Sequence, residues 1–351
     1  MVDMSEPTVR PPVRLSACVI QTAFLGDVIL TTPLLSLLAE RHGPVDVVTT
    51  PAGGTLLETH PAVRSVIRYD KHGADKGWRG MRRLALELRA RRYQSVYLPH
   101  RSVRSAVVAL LSGAPERVGF SDSAAAISYT QRVPRPSGGH EVERLLTLAG
   151  SPARAPGVSL GLTPTDYAAA DDWLSAQGVS PRFIALAPGS IWGTKRWPYY
   201  TELAAGLDRP CVIVGGADDR SLADAIVAAA PGRTVSAAGE LPLRASAALI
   251  QRAAVLVTND SAPLHLATAV GTPILALFGP TVPDFGFGPR RVGDVTLGRD
   301  GLACRPCSQH GPQICPLGHH RCMRELAVAT VAAALAAITS AEESGAICPR
   351  N

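Results

Sequence analysis

The sequence predicts an α/β protein of two Rossmann-like domains whose parallel sheets face a central cleft. Three observations carry this expectation. Short apolar runs alternate along the chain with segments of helical length, about 10 to 15 residues, which is the pattern of βαβ crossovers and parallel sheets. The 351 residues, 46% hydrophobic and 18% charged, are enough for two ordinary cores. A stretch rich in Pro, Gly and Ser, residues 151–165 (SPARAPGVSLGLTPT), divides the alternating series in two and reads as a linker.

Taken in order, a polar, Pro-containing start gives way to an apolar strand over 15–21, and the turn Thr22 to Asp27 leads into a helix over 28–41 that ends at Gly43. Pro33 sits early enough to belong to a first turn. Strands are expected at 45–50, 64–69 and 94–98, with helices at 78–92, 102–112 and 140–149. After the linker come a helix at 166–177, a strand at 182–187, a helix at 198–207, a strand at 210–215, a helix at 219–230, a strand at 233–236 and a helix at 243–253. The stretch VLVTNDSAPLHLATAVGTPILALFGPT, residues 255–281, packs a further βαβ unit into 27 residues, with Pro263 opening its helix and Asp260 or Ser261 as the expected cap. An Ala-rich helix over 327–341 closes the series and is expected to pack back across the domain joint.

The net charge of +6 is unevenly placed: residues 1–150 carry 19 Lys+Arg against 13 Asp+Glu, and the remainder balances at 16 against 16. A basic first half suits an anionic partner such as an acidic lipid surface or a phosphorylated saccharide. Nucleic acid is the weaker reading, because aromatic residues make up only 5% of the chain and no zinc-finger or RNP-like pattern accompanies the charge. No apolar run approaches the roughly 20 residues of a membrane span, and the start does not resemble a signal peptide, so a cytoplasmic address is expected.

Several positions carry chemistry. The helix opening at Asp260, Ser261 and Ala262, with His265 one turn on, presents free N–H groups at the carboxyl end of a strand and suits a phosphate. The loop APGSIWGTKRWP, residues 187–198, holds Ser190, Thr194 and Lys195; Lys195 is the sole lysine beyond residue 76 in a chain with 32 arginines and three lysines, and its ammonium suits a pyrophosphate. Asp219, just after strand 210–215, is placed to meet a nucleoside or to cap the next helix. Asp27 is either a helix cap or a carboxylate able to take a proton from an attacking hydroxyl. Arg101 and Arg104, three apart on one helix face, suit an acceptor phosphate or form a solvated basic face. No Walker P-loop or GxGxxG fingerprint is present. Cys304, Cys307, Cys315 and Cys322, with His310, His319 and His320 nearby, leave three readings open: structural zinc, packed reduced thiols or a redox role.

The pieces IQTAFLGDVILTTPLL (20–35), APGSIWGTKRWP (187–198), TNDSAPLHLATAVGTPILALFGPT (258–281) and CPLGHHRCMREL (315–326) together resemble the bacterial heptosyltransferases of glycosyltransferase family nine. The resemblance implies a GT-B fold, an acceptor-binding domain over 14–150 after a flexible tail (1–13), a nucleotide-sugar domain over 166–326, and a terminal helix and tail over 327–351. It implies inverting, metal-independent transfer of heptose from ADP-L-glycero-D-manno-heptose to the inner core of lipopolysaccharide, with no cofactor and with the enzyme at the inner face of the cytoplasmic membrane. By the same resemblance Asp27 is the general base, Lys195 binds pyrophosphate, and Asp260, Ser261, Ala262 and His265 form the ADP-sugar loop. The residues themselves leave open another nucleotide-sugar enzyme of this shape, a transferase or an epimerase, or a non-catalytic nucleotide-sugar-binding module.

Overall fold

The computed structural model describes residues 16–150 and 155–344; the expected amino-terminal tail, the first residues of the linker and the carboxyl-terminal tail lie outside the described residues. The first unit runs β1 (Ala17–Gln21), α1 (Leu25–Leu30), α2 (Thr32–His42), β2 (Val45–Thr49), α3 (Pro51–Leu57), β3 (Val63–Arg68), α4 (Gly77–Arg91), β4 (Ser95–Leu98), α5 (Val103–Leu111), β5 (Glu116–Phe120), β6 (Gln131–Val133) and α6 (Glu141–Leu146). The second runs α7 (Pro164–Ala176), β7 (Ile184–Ala187), α8 (Tyr200–Gly206), β8 (Cys211–Ile213), α9 (Arg220–Ala229), β9 (Thr234–Ser236), α10 (Leu243–Arg252), β10 (Val255–Asn259), α11 (Ala262–Val270), β11 (Ile274–Phe278), β12 (Val295–Gly298), α12 (Arg321–Arg324) and α13 (Val328–Glu343).

Two six-stranded sheets result, ordered β3-β2-β1-β4-β5-β6 and β12-β11-β10-β7-β8-β9, and every strand pair is parallel. Both follow the doubly wound order, so each chain direction reverses beside its first strand: between β1 and β4 in one sheet, between β7 and β10 in the other. Ligand sites of such sheets lie at that reversal, beyond the carboxyl ends of the strands. The two sheets face one another in the GT-B arrangement.

The single helix expected over 28–41 is two. Pro33 has no N–H to give the Ile29 carbonyl, and Thr32 Oγ1 donates to that carbonyl instead at 2.8 Å, so α1 ends at Leu30 and α2 begins at Thr32. The short α1 also begins earlier than expected, which puts Asp27 in its first turn. Helix α3 (PAGGTLL), with two glycines in seven residues, is not among the expected elements. A Cβ at Gly53 would stand 2.4 Å from Thr49 Oγ1, so close packing on β2 requires glycine there.

The units are joined by shared core. Ile29 of α1 and Leu56 of α3 are buried in one cluster with Leu264 of α11 and Ala247 of α10. Helix α13 does not cross the joint: Val331, Leu335 and Ile338 pack with Trp197, Leu203 and Val257 inside the second unit.

Candidate active site

Four strand-to-helix loops reach one cleft of about 540 Å³ between the units. From the first unit come Phe24, Gly26 and Asp27; from the loop after β7 come Gly189, Ser190, Trp192 and Lys195; from the turn after β8 comes Asp219; from the loop after β10 and the start of α11 come Asp260, Ser261, Ala262 and His265.

Lys195 and Asp260 are buried together, Nζ to Oδ2 at 2.5 Å, and Thr281 Oγ1 donates to the same carboxylate oxygen at 2.7 Å. Asn259 sets this register: its side-chain amide donates to the Pro188 carbonyl at 2.9 Å while its oxygen accepts from the Trp197 N–H at 3.1 Å. The Lys195 loop is thereby sewn to β10. Because Asp260 is engaged with Lys195, it does not cap α11, and the Ser261 side chain makes no cap either, so the expected side-chain cap is absent. In the first turn of α11 Pro263 has no N–H and the Leu264 N–H donates to the Ser261 carbonyl at 3.1 Å, so the Ala262 N–H, at the cleft, is the one this helix end can offer an anion.

Asp27 Oδ2 accepts from the Phe24 N–H at 3.2 Å, while its Oδ1 has no hydrogen bond among the described residues. The carboxylate therefore steadies the first turn of α1 and also lines the cleft. Burial, helped by the nearby charge of Glu141, pushes its carboxyl up from 3.8 to about 6. His265 is buried, its Nδ1 has no hydrogen-bond partner among the described residues, and burial holds its imidazole down at about 4, so it is neutral near pH 7. Asp219 accepts from the Gly216 N–H at 3.0 Å, and a Cβ at Gly189 would stand 2.2 Å from its Oδ1, which explains the glycine in that loop.

Three expected residues stand outside the lining. Thr194 is buried and its hydroxyl donates to the Pro312 carbonyl, so it holds the 308–320 loop rather than the cleft. That loop is also tied by Gln313 Nε2 to the Ile191 carbonyl at 2.8 Å, and it seats His310 between the rings of Trp192 and Phe24. Arg101 pairs with Asp122 at 3.0 Å on the surface. Arg104 reaches the Lys71 carbonyl at 3.5 Å. Lys71, which the sequence assigns no role, also stands outside the lining: its ammonium donates to the Thr22 carbonyl at 2.6 Å, in the loop that leads to Asp27, and burial and Arg104 together lower its pKa. The rarity of lysine that marks Lys195 marks Lys71 equally.

Cys304 Sγ lies 4.0 Å from His319 Nε2, and among the described residues no group of three or more His, Cys, Asp or Glu side chains is placed to hold a metal. The six described cysteines are free thiols.

Residues 81–313 match the profile of glycosyltransferase family 9 (heptosyltransferase). The chain belongs to glycosyltransferase family 9. This family 9 chain is 29% identical over 295 residues to lipopolysaccharide heptosyltransferase 2 of Escherichia coli K12, covering 76% of its own length and 83% of the relative's. It is 30% identical over 314 residues to lipopolysaccharide heptosyltransferase 1 of Pseudomonas aeruginosa, covering 82% and 84%. Its fold superposes on the solved ADP-heptose LPS heptosyltransferase II of E. coli with a TM-score of 0.77 at 25% identity, over 93% of this chain and 99% of that one. In the family 9 chain three of the four quoted motifs of the resemblance reach the cleft: 20–35 forms β1 to α2, 187–198 the Lys195 loop, and 258–281 the Asp260 loop through β11; the fourth, 315–326, contributes α12 and does not line it.

Proposed function

We propose that this protein transfers heptose from ADP-L-glycero-D-manno-heptose to the inner core of lipopolysaccharide, with inversion at the anomeric carbon. One observation carries the reading: a carboxylate with a free oxygen, Asp27, and a buried ammonium, Lys195, line the same cleft from opposite units.

The residues then divide the reaction between them. The ADP diphosphate lies at the open amino end of α11, beside Lys195, Ser190, Ser261 and Ala262, with Asp260 holding the ammonium in place. The nucleoside reaches toward Asp219 and the apolar wall of Leu241, Leu243 and Ile250. Asp27 Oδ1 accepts the proton of an acceptor hydroxyl as its oxygen bonds to the anomeric carbon and the bond from that carbon to the diphosphate oxygen breaks. The leaving diphosphate gains charge, which Lys195 and the helix end offset. A single displacement of this kind inverts the carbon. His265, neutral, donates or accepts a hydrogen bond without adding charge.

In this reading the unit over residues 14–150 presents the acceptor, with Lys71, held to the loop that leads to Asp27, and Arg104, against the Lys71 backbone, meeting its anionic groups. The unit over 166–326 binds the donor, residues 151–165 join the two, and α13 completes the second unit. The acceptor is lipid-linked, and the protein works at the cytoplasmic face of the membrane through its basic first half; no described helix is long and apolar enough to cross a bilayer. The test is turnover of a panel of ADP-, GDP- and UDP-sugars with a core acceptor: turnover of ADP-heptose alone supports the assignment, and preference for another donor sinks it.

A further inference from the structure

We infer that the outer face of α4 and α5 is a membrane-docking surface that inserts apolar side chains between anionic lipid headgroups. The inference rests on the proposed lipid-linked acceptor and names the residues that would meet the bilayer.

Helices α4 and α5 cover one side of the first sheet, burying Leu84, Leu88, Ala106 and Ala109 on the strands. Their opposite sides carry apolar residues that no internal contact explains. Trp78 is 66% exposed and Leu86 50% on α4; Val103, Leu110 and Leu111 are each about half exposed on α5; and Ile127, beside the end of α5, is 87% exposed. Trp78 and Leu86 are two turns apart on one stripe of α4, and Val103, Leu110 and Leu111 follow at helical spacing along α5.

Basic residues frame this stripe. Arg79, Arg82, Arg89 and Arg92 are exposed and make no ion pair among the described residues, whereas the acidic neighbours Asp75, Glu87 and Asp122 are each engaged by Arg83, Arg91 and Arg101. The Arg79 guanidinium lies 5.8 Å from the Trp78 ring centroid. A helix layer with Trp and Leu at its crest and unpaired arginines alongside is complementary to an anionic interface: the rings and aliphatic chains sit at headgroup level while the guanidiniums reach phosphates. A soluble polyanion would use the charge but leave Leu86, Leu110 and Leu111 in water.

Placement adds a second argument. The amino ends of α4 and α5 point toward the carboxyl ends of the strands, where Arg104 touches the Lys71 backbone and Lys71 touches the loop leading to Asp27. A saccharide rising from a bilayer under this face would therefore enter beside the carboxylate.

The whole protein is floated with vesicles of phosphatidylglycerol and phosphatidylethanolamine, and with phosphatidylcholine alone, at low and at high salt. Binding should require the anionic lipid, should weaken with salt and should persist in part at high salt. A Trp78→Asp, Leu86→Asp, Leu110→Asp variant should lose that residual binding by about tenfold or more, since partition scales with buried apolar area. Val292→Asp, an exposed apolar site on the second unit, should change nothing. Donor turnover with a delipidated, soluble acceptor reports on folding and on the transferase reading separately, and should be unaltered in the triple variant. If the variant folds and binds vesicles as well as the parent does, or if high salt removes all binding from the parent, the docking surface is wrong even where transfer is intact.

Discussion

Gly26 of α1 lies directly against His265 of α11: a Cβ built on Gly26 would stand 2.5 Å from His265 Cδ2. The backbone carrying Asp27 and the helix end proposed for the diphosphate are thus held in contact by the absence of one side chain. Gly26→Ala should push the units apart or displace the imidazole, costing about 1–3 kcal/mol of stability as overpacking does. In a double-mutant cycle with His265→Ala the two effects should couple strongly, since the smaller partner makes room. Additive effects in thermal melts would show that this contact does not set the approach.

Lys195→Ala should weaken donor binding and slow transfer, because it removes the cation nearest the proposed diphosphate and leaves Asp260 facing the same anion. A charge-assisted contact of roughly 1.5–3 kcal/mol corresponds to about one to two decades in kcat/KM. Parent-level kcat/KM for ADP-heptose would dismiss the role.

The elevated Asp27 carboxyl gives a pH dependence of defined sign. A base must be ionised, so kcat/KM should fall below about pH 6 and level off above it. Stability runs the other way. The folded state holds this proton more tightly than the unfolded chain, so the contribution is complete below 3.8 and is lost as pH rises through about 6. Asp27→Asn should accordingly melt above the parent at pH 7, and the gap should close in acid. Equal melting temperatures at pH 7 would mean the carboxyl is not strained by burial.

Much of this was legible in the sequence because strand-to-helix turns in a doubly wound sheet fall on one side. Locating the apolar runs before Asp27, Lys195, Asp219 and Asp260 was enough to gather those residues at one cleft. What escaped has physical causes. Strands β5 (ERVGF), β6 (QRV) and β12 (VTLG) are short or lie toward a sheet edge, so they show no sustained apolar run. Gly119 fits under the Tyr129 ring, a tertiary reason for a glycine that local pattern reads as a break. Thr194 lies one residue from Lys195 yet turns to the 308–320 loop, because a tight turn sends neighbouring side chains in different directions. Lys71 acquires its place only through the packing of α5 against the loop after β3.

The most direct test of the account is Asp27→Asn, measured for heptose transfer from ADP-heptose to a core acceptor and for donor binding by calorimetry on the same preparation. Asn keeps the size and can still accept from the Phe24 N–H, so the turn of α1 should survive. Donor affinity should be unchanged while turnover falls by roughly 10²- to 10⁴-fold, the range for loss of a general base. Turnover close to that of the parent would contradict the account and return Asp27 to the role of a helix cap.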